Sequence, residues 1–313
     1  MTCSKLITLS FNPAIDTTLY LSGIQWGEEN FTVREHFEAA GKGPNVSRCL
    51  LSYGTESQAF VLVGRENADM FLSKLRQDGV SCSALETEGA IRENISLIIP
   101  GKPVTRIIRR GFTVTPQLRQ QMLEKLQQVL EPGCLVVVSG RLPEGMSGED
   151  LVDFCGKLTG TGAKIALDTS SLTLEQFLAI RPEIAKPNRE ELAQMVGMPL
   201  MNIEQIRKAA ARFWESGISH VLVSLGREGM LYCSAQREIL FTVPTVKVET
   251  AVGAGDSLLA MFLHKQRQGA SLEESLRWAC AAGTASCMRQ GTNPPLQEDM
   301  EELYPRILVK ELR

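Results

Sequence analysis

The stretch Thr250-Ala251-Val252-Gly253-Ala254-Gly255-Asp256-Ser257 limits what this chain can fold into more than any other. Residues 241–249 ahead of it are β-branched and alternating, so they read as a strand. Residues 257–268 behind it are rich in Leu, Met and Phe and stop at Gly269, so they read as a helix. A small-residue loop entering a helix N-terminus presents free backbone N–H groups and the positive end of the helix dipole, which together suit an anion. Gly253 and Gly255 remove the Cβ atoms that would hold a phosphate away from the backbone. Asp256 falls in the first helical turn, beside the anion it would repel. Two readings stay open on this octet alone: a cap or dipole partner, or a general base next to a phosphate cradle.

The chain has 313 residues, enough for one large α/β domain. Its net charge of −3 is spread over mixed acids and bases, which argues against a nucleic-acid surface or a membrane patch. Residues 1–10 lead into a strand without a signal-peptide core, and no apolar run approaches the roughly 20 residues of a membrane helix. Eight cysteines are scattered without a Cys-x-x-Cys pair, beside only three histidines. That pattern reads as buried free thiols in a reducing cytoplasm and argues against a zinc site.

Along the chain, Leu6 to Phe11 reads as a strand ending in the turn Asn12-Pro13-Ala14-Ile15-Asp16. That places Asp16 at the sheet edge where open α/β sheets bind ligands, although turn chemistry alone also explains it. Residues 17–38 look like short strands. Ala39 to Val46 forms a second Gly-containing loop, with Lys42, ahead of a helix over 47–53; Pro44 suits a first helical turn. Residues 91–110 break the βαβ rhythm as two strands joined by Pro100-Gly101-Lys102-Pro103, a hairpin outside the main sheet. Period-two geometry puts Arg92 with Asn94 on one face and Arg106 with Arg110 on one face; arginines there are either solvated or an anion clamp. From residue 116 onward helices and strands alternate regularly, with a hairpin at 230–241. The expected fold is α/β: a doubly wound, mostly parallel sheet sandwiched by helices, in a single domain over 1–313 with a small β-sheet lid from about 17–38 and 91–110.

Each loop is weak evidence alone. In order, Asn12-Pro-Ala-Ile-Asp16, Gly41-Lys-Gly-Pro-Asn45, Ser139-Gly-Arg-Leu-Pro143, Lys186-Pro-Asn-Arg-Glu-Glu191, Ser224-Leu-Gly-Arg-Glu-Gly229 and Val252-Gly-Ala-Gly-Asp-Ser257 resemble the ribokinase-like (pfkB) carbohydrate kinase family over essentially the whole chain. The opening motif is most similar to the 1-phosphofructokinase and tagatose-6-phosphate kinase branch. The resemblance implies an eight- or nine-stranded sandwich with a β lid that often pairs with another subunit's lid, hence a homodimer. It implies ATP and Mg²⁺ as cofactors and leaves a monovalent cation at the anion hole open. Asp256 would be the base, and the N–H groups around Gly253, Ala254 and Gly255 the anion hole. Asn188 and Glu191 would organise Mg²⁺ indirectly, and Lys186 opens their loop. Ser224, Gly226 and Gly229 would shape the nucleotide side. Asp16, Gly41, Lys42 and Asn45 would hold a sugar phosphate, with Arg92 and Asn94 closing over it.

The chain departs from the family pattern on the sugar side, at Ala40, Pro44, Arg141 and the stretch Thr105 to Arg110. Arg106 and Arg141 add positive charge there, which argues for a phosphorylated or otherwise anionic acceptor. The expected function is therefore ATP-dependent phosphoryl transfer to a phosphorylated ketohexose. An unphosphorylated sugar, nucleoside or sugar acid is the alternative acceptor, and a non-catalytic sugar-phosphate sensor is the alternative class. No Gly-x-x-x-x-Gly-Lys-Ser/Thr is present, so this is not a P-loop kinase.

Overall fold

A computed structural model describes residues 5–313; Cys3, among the expected free thiols, lies outside them. Strand β1 (Leu6–Ser10) leads into a second sheet through β2 (Ala14–Tyr20) and β3 (Arg34–Ala40). The chain returns by α1 (Lys42–Ser52) to β4 (Gln58–Gly64), α2 (Ala68–Gln77) and β5 (Cys82–Thr87). A second excursion forms β6 (Arg92–Ile98) and β7 (Thr105–Ile108). Then follow α3 (Pro116–Gln127), β8 (Leu135–Ser139), α4 (Gly148–Thr159), β9 (Lys164–Asp168), α5 (Leu174–Ile180) and β10 (Ile184–Ala185). Next come α6 (Arg189–Val196), α7 (Ile203–Glu215), β11 (His220–Ser224), β12 (Met230–Cys233) and β13 (Glu238–Thr242). The chain closes with α8 (Ala254–Arg267), α9 (Leu272–Ser286), α10 (Gln297–Leu303) and β14 (Leu308–Glu311).

Ten strands form the main sheet in the order β14-β13-β12-β11-β10-β9-β8-β1-β4-β5. It is parallel from β11 to β5 and antiparallel from β11 to β14. Strand alternation sorts the core into two layers. Ile7, Leu9, Val136 and Val138 pack with Phe71, Phe154, Phe177 and Phe213 of α2, α4, α5 and α7. Leu6, Leu135 and Val137 pack with Val46, Leu259, Phe262 and Leu276 of α1, α8 and α9. Burial on both faces is why Leu135 to Val138 of β8 read as an unbroken apolar run and why even Thr8 and Ser10 of β1 are buried. Strand β1 lies between β4 and β8, so the chain leaves it in opposite directions. That reversal opens a crevice at the carboxyl ends of the strands, where β1, β8, β9, β10 and β11 all release their following loops.

The smaller sheet has four strands in the order β3-β2-β6-β7. Its register aligns Glu38, Asp16, Asn94 and Ile108 in one row, and Phe37, Thr17, Ile95 and Ile107 in the next. Successive rows point to opposite faces, so the acidic and amide groups share one face and the apolar row the other.

Four expectations change. The main sheet has ten strands where eight or nine were expected; β5, α10 and β14 are elements with little periodicity of their own. Residues 241–249 are not one strand, because β13 stops at Thr242, just before Pro244, which has no N–H for the ladder. Asp16 stands within β2 rather than on a turn. Helix α1 begins at Lys42, five residues early, because Gly41 at φ 126° caps it and its carbonyl accepts from Asn45 N at 2.9 Å.

Candidate active site

The crevice opens into a cleft of about 1420 Å³ that runs from the small sheet to the loops after β10, β11 and β13. Its end beside the small sheet is walled by Asp16, Gly41, Lys42, Asn45, Arg92 and Asn94, the residues expected to hold the acceptor. Its other end is walled by Lys186, Asn188, Ser224, Gly226 and Gly229, residues expected on the nucleotide side, and Gly253 to Asp256 lie where the two ends meet. Ser224 is brought beside Asn188 by a bridge between them, with Ser224 N donating to Pro187 O at 3.1 Å.

The early start of α1 matters for chemistry. Lys42 and Asn45, one helical turn apart, project from the same side. Asn45 Nδ2 donates to Asp256 Oδ2 at 2.8 Å. Lys42 Nζ donates to Asp168 Oδ1 at 2.7 Å and approaches Glu191 Oε1 at 3.5 Å. Lys186 Nζ lies 3.1 Å from Asp168 Oδ2, yet that oxygen has no aligned hydrogen-bond donor. A buried carboxylate thus holds two lysines beside the Gly253-Ala254-Gly255 loop. Asp168 was not singled out in the sequence. Its one signal is that the apolar run Ile165-Ala166-Leu167 ends in an acid at the carboxyl edge of the sheet.

Asp256 is buried in the first turn of α8. The dipole argument expects an easily ionised carboxyl, and the structure corrects it. Burial, reinforced by the neighbouring Asp168 charge, pushes its pKa up to about 6, against the pull of Lys42, the Asn45 hydrogen bond and Lys186. For Asp168, burial also works against the charge, but Lys186 and Lys42 outweigh it and hold the carboxyl below its ordinary range. For Lys42, burial opposes the charge while Asp168, Glu191 and Asp256 outweigh it and raise its pKa.

No side chain caps α8; Ala254 N makes only a long bond to Ala251 O at 3.5 Å, and the uncapped N–H groups of Gly253 and Gly255 on either side of it suit a ligand. Gly253 adopts φ 81°, and a Cβ on Gly255 would come within 2.8 Å of Lys186 Nζ. The cradle is therefore shaped so that backbone and lysine approach one anion together. Asn188 caps α6, its Oδ1 accepting from Glu191 N at 2.8 Å while Glu191 Oε2 accepts from Asn188 N at 2.9 Å. Among the described residues no cluster of three or more acidic, histidine or cysteine side chains forms a metal cage. The Glu191 carboxylate fits a hydrated Mg²⁺ held mainly by phosphate oxygens and water, whereas Asp168 is fully buried and already shared by Lys42 and Lys186.

At the end beside the small sheet Asn94 Nδ2 donates to Asp16 Oδ1 at 2.6 Å, while Asn94 Oδ1 and Arg92 Nε are buried without partners. Burial and the nearby Glu38 raise the Asp16 pKa against the pull of Asn94, Arg92 and Arg106. Burial lowers the Arg92 pKa; Asp16 opposes this and Arg141 adds to it. Arg106 and Arg141 are exposed and stand outside the cleft walls, close enough for their charges to act on Asp16 and Arg92 but not in contact with Lys42. On the nucleotide side, Arg189 pairs with Glu228 at 2.7 Å across the cleft, a contact no motif foretells. The seven described cysteines are free, and no described helix is long and apolar enough to cross a membrane.

Comparison with known proteins agrees with this geometry. Residues 10–299 match the family model described as pfkB family carbohydrate kinase. The 1-phosphofructokinase of Rhodobacter capsulatus is 30% identical over 310 residues, covering 98% of this chain and 98% of that protein. The ATP-dependent 6-phosphofructokinase isozyme 2 of Escherichia coli K12 is 29% identical over 303 residues, covering 96% of this chain and 98% of that protein. A crystal structure of phosphofructokinase-2 from Escherichia coli in complex with potassium superposes with a TM-score of 0.88 at 28% identity, covering 96% of this chain and 98% of that one. Fold, cleft and family match lead to one conclusion: the chain belongs to the pfkB family of carbohydrate kinases and is an ATP-dependent sugar kinase.

Proposed function

We propose that the chain transfers the γ-phosphoryl group of ATP to a hydroxyl of a phosphorylated ketohexose, of the fructose 1-phosphate, fructose 6-phosphate or tagatose 6-phosphate type. The products are a sugar bisphosphate and ADP. The observation that carries this reading is the position of Asp256 at the junction of the two ends of one cleft, beside an uncapped helix N-terminus. Asp256 takes the proton of the acceptor hydroxyl as its oxygen attacks the γ-phosphorus. The bond from that phosphorus to the ADP oxygen breaks, and the proton stays on the carboxyl. The loop N–H groups and Lys186 stabilise charge on the transferring group. Glu191 and Asn188 would organise Mg²⁺, which would supply charge neutralisation on the nucleotide phosphates when bound. A monovalent cation at the anion hole belongs to the same proposal, supported by the potassium-containing relative. A reducing cytoplasm suits the free thiols.

Arg92, with its unpartnered Nε, is the anchor for an acceptor phosphate, and the unpartnered Asn94 Oδ1 is the acceptor for a sugar hydroxyl. ADP release over fructose 1-phosphate, fructose 6-phosphate, tagatose 6-phosphate and their parent sugars should favour the phosphates by at least about 100-fold in kcat/KM, one or two charge-assisted bonds' worth. Arg92→Ala should raise the acceptor KM by roughly 10-fold or more while ATP KM hardly moves, and Arg141→Ser should do the same to a smaller extent. Preference for a parent sugar would redirect the reading to an unphosphorylated acceptor. No turnover of any acceptor, with sugar phosphate still bound, would favour a sensor.

The small sheet acts as a lid in this proposal, closing over the acceptor and expelling water. Its other face carries Phe37 and Ile107, 40% and 49% exposed, and the connecting segment carries Trp26 and Phe31, 90% and 80% exposed. That apolar surface on a four-stranded sheet suits the same face of a second copy, giving a homodimer through the lids. The double variant Phe37→Lys, Ile107→Lys should therefore run as a monomer in light scattering where the wild type runs as a dimer. An unchanged mass places the contact elsewhere.

A further inference from the structure

We infer that Arg48 is a positioning residue for this transfer: it locks the Asn45 amide as a donor to Asp256 and ties that amide to the root of the small sheet. The inference rests on the kinase reading above.

Arg48 lies one turn after Asn45 on α1 and is buried. Its guanidinium is used on every side. Nη1 donates to Asn45 Oδ1 at 3.2 Å and reaches Thr292 Oγ1 at 3.4 Å. Nη2 donates to Ala39 O at 2.7 Å, and Nε to Asp78 Oδ2 at 2.9 Å. A guanidinium carries donors only, so the amide end facing it must be the oxygen. The other end, Nδ2, must then face Asp256, as it does. Without Arg48 the amide is free to turn and offer its oxygen, which favours a protonated Asp256 and removes the base.

The same cation reaches the lid. Ala39 and Glu38 are near the carboxyl end of β3. Thr292 N and Oγ1 both donate to Glu38 Oε2 at 3.1 Å. Strand β3, the loop after α9 and the amide that orients the base thus meet on one buried guanidinium, itself held by Asp78, which also accepts from Lys74 Nζ at 3.0 Å. The charged and titratable groups around Asp256 come from other directions: Asp168 from β9, Lys186 after β10, and Lys42 and Cys49 from α1. None of them orients the Asn45 amide.

The test is Arg48→Lys, which keeps the charge but not the fork. The Asp256 carboxyl is followed by ¹³C NMR in protein labelled at aspartate Cγ, with its signal assigned by loss in Asp256→Asn. The wild-type midpoint should lie near 6, and in Arg48→Lys it should rise by about 0.5–1 pH unit, with kcat at pH 7 falling roughly 10-fold and ATP KM within about 2-fold. In an Asn45→Ala background Arg48→Lys should leave the midpoint in place. An unmoved midpoint in folded Arg48→Lys overturns the inference, as does a shift that survives in Asn45→Ala. If Arg48→Lys does not fold, Asp78→Asn carries the test: a smaller shift in the same direction is expected, and none overturns it. Absence of sugar-phosphate turnover by the wild type would refute the proposed acceptor class, while the midpoint still decides the role of Arg48.

Discussion

Asp256→Asn should lower kcat by about 10²–10⁴-fold, the usual cost of losing a general base. The amide still accepts from Asn45 Nδ2, so size and one hydrogen bond survive while basicity does not. Acceptor and ATP binding should change far less, because the phosphate cradle is backbone and lysine. In the wild type the acid limb of the kcat/KM profile should fall near pH 6, where burial and Asp168 have placed the carboxyl. A carboxyl whose folded pKa is raised above its unfolded value stabilises the fold at low pH, and that contribution is lost as pH rises through the folded pKa. At pH 7–8 the ionised Asp256 is therefore a burden on the fold, and Asp256→Asn should raise Tm by about 1–3 °C there. Loss of Tm with normal turnover by the remaining folded protein would make Asp256 structural and remove the base from the mechanism.

The second large effect is on stability. Asp168→Asn should cost on the order of 3–5 kcal/mol, since it leaves Lys42 and Lys186 buried without their shared carboxylate. Lys42 keeps some contact with solvent and with Glu191, so the low end of that range is expected. For a chain of this size it corresponds to a Tm loss of roughly 4–8 °C. Its pH dependence has the opposite sign to that of Asp256. The Asp168 pKa is depressed in the fold, so its contribution is present above the ordinary aspartate range and is lost as pH falls through the folded pKa. The Tm gap between wild type and Asp168→Asn should close under acid, and it should narrow somewhat as pH rises through about 6, because the variant lacks the charge that raises the Asp256 pKa. Turnover should fall as well, because both lysines lose the group that aims them. A gap that does not change with pH would mean the cost is one of packing rather than charge.

Much of the architecture was legible because local physics repeats along the chain. Continuous apolar runs such as Leu135 to Val138 could only be strands covered on both faces, and the alternation from residue 116 onward could only be wound around a sheet. Gly253 to Asp256 was legible as a phosphate turn with a carboxylate because glycine and helix-start chemistry are local. Elements governed by distant partners were not. Strands β5 and β14 exist because β4 and β13 offer them edges, and β13 stops at Thr242 because of one proline. The site divides in the same way. The resemblance carried by the ordered motifs offered Asp256, Asn45, Lys42, Lys186 and Asp16 as candidate site residues, and the structure brings all five to one cleft. Only the tertiary structure decided that Asp168 binds two of those lysines, that Arg48 orients Asn45, and that Arg106 and Arg141 stand outside the cleft walls. It also reversed the expected acidity of Asp256. A helix dipole can be read from neighbouring residues, but desolvation and the charge on Asp168 depend on what the fold packs around the carboxyl, and here those two effects outweigh the pull of Lys42, Asn45 and Lys186.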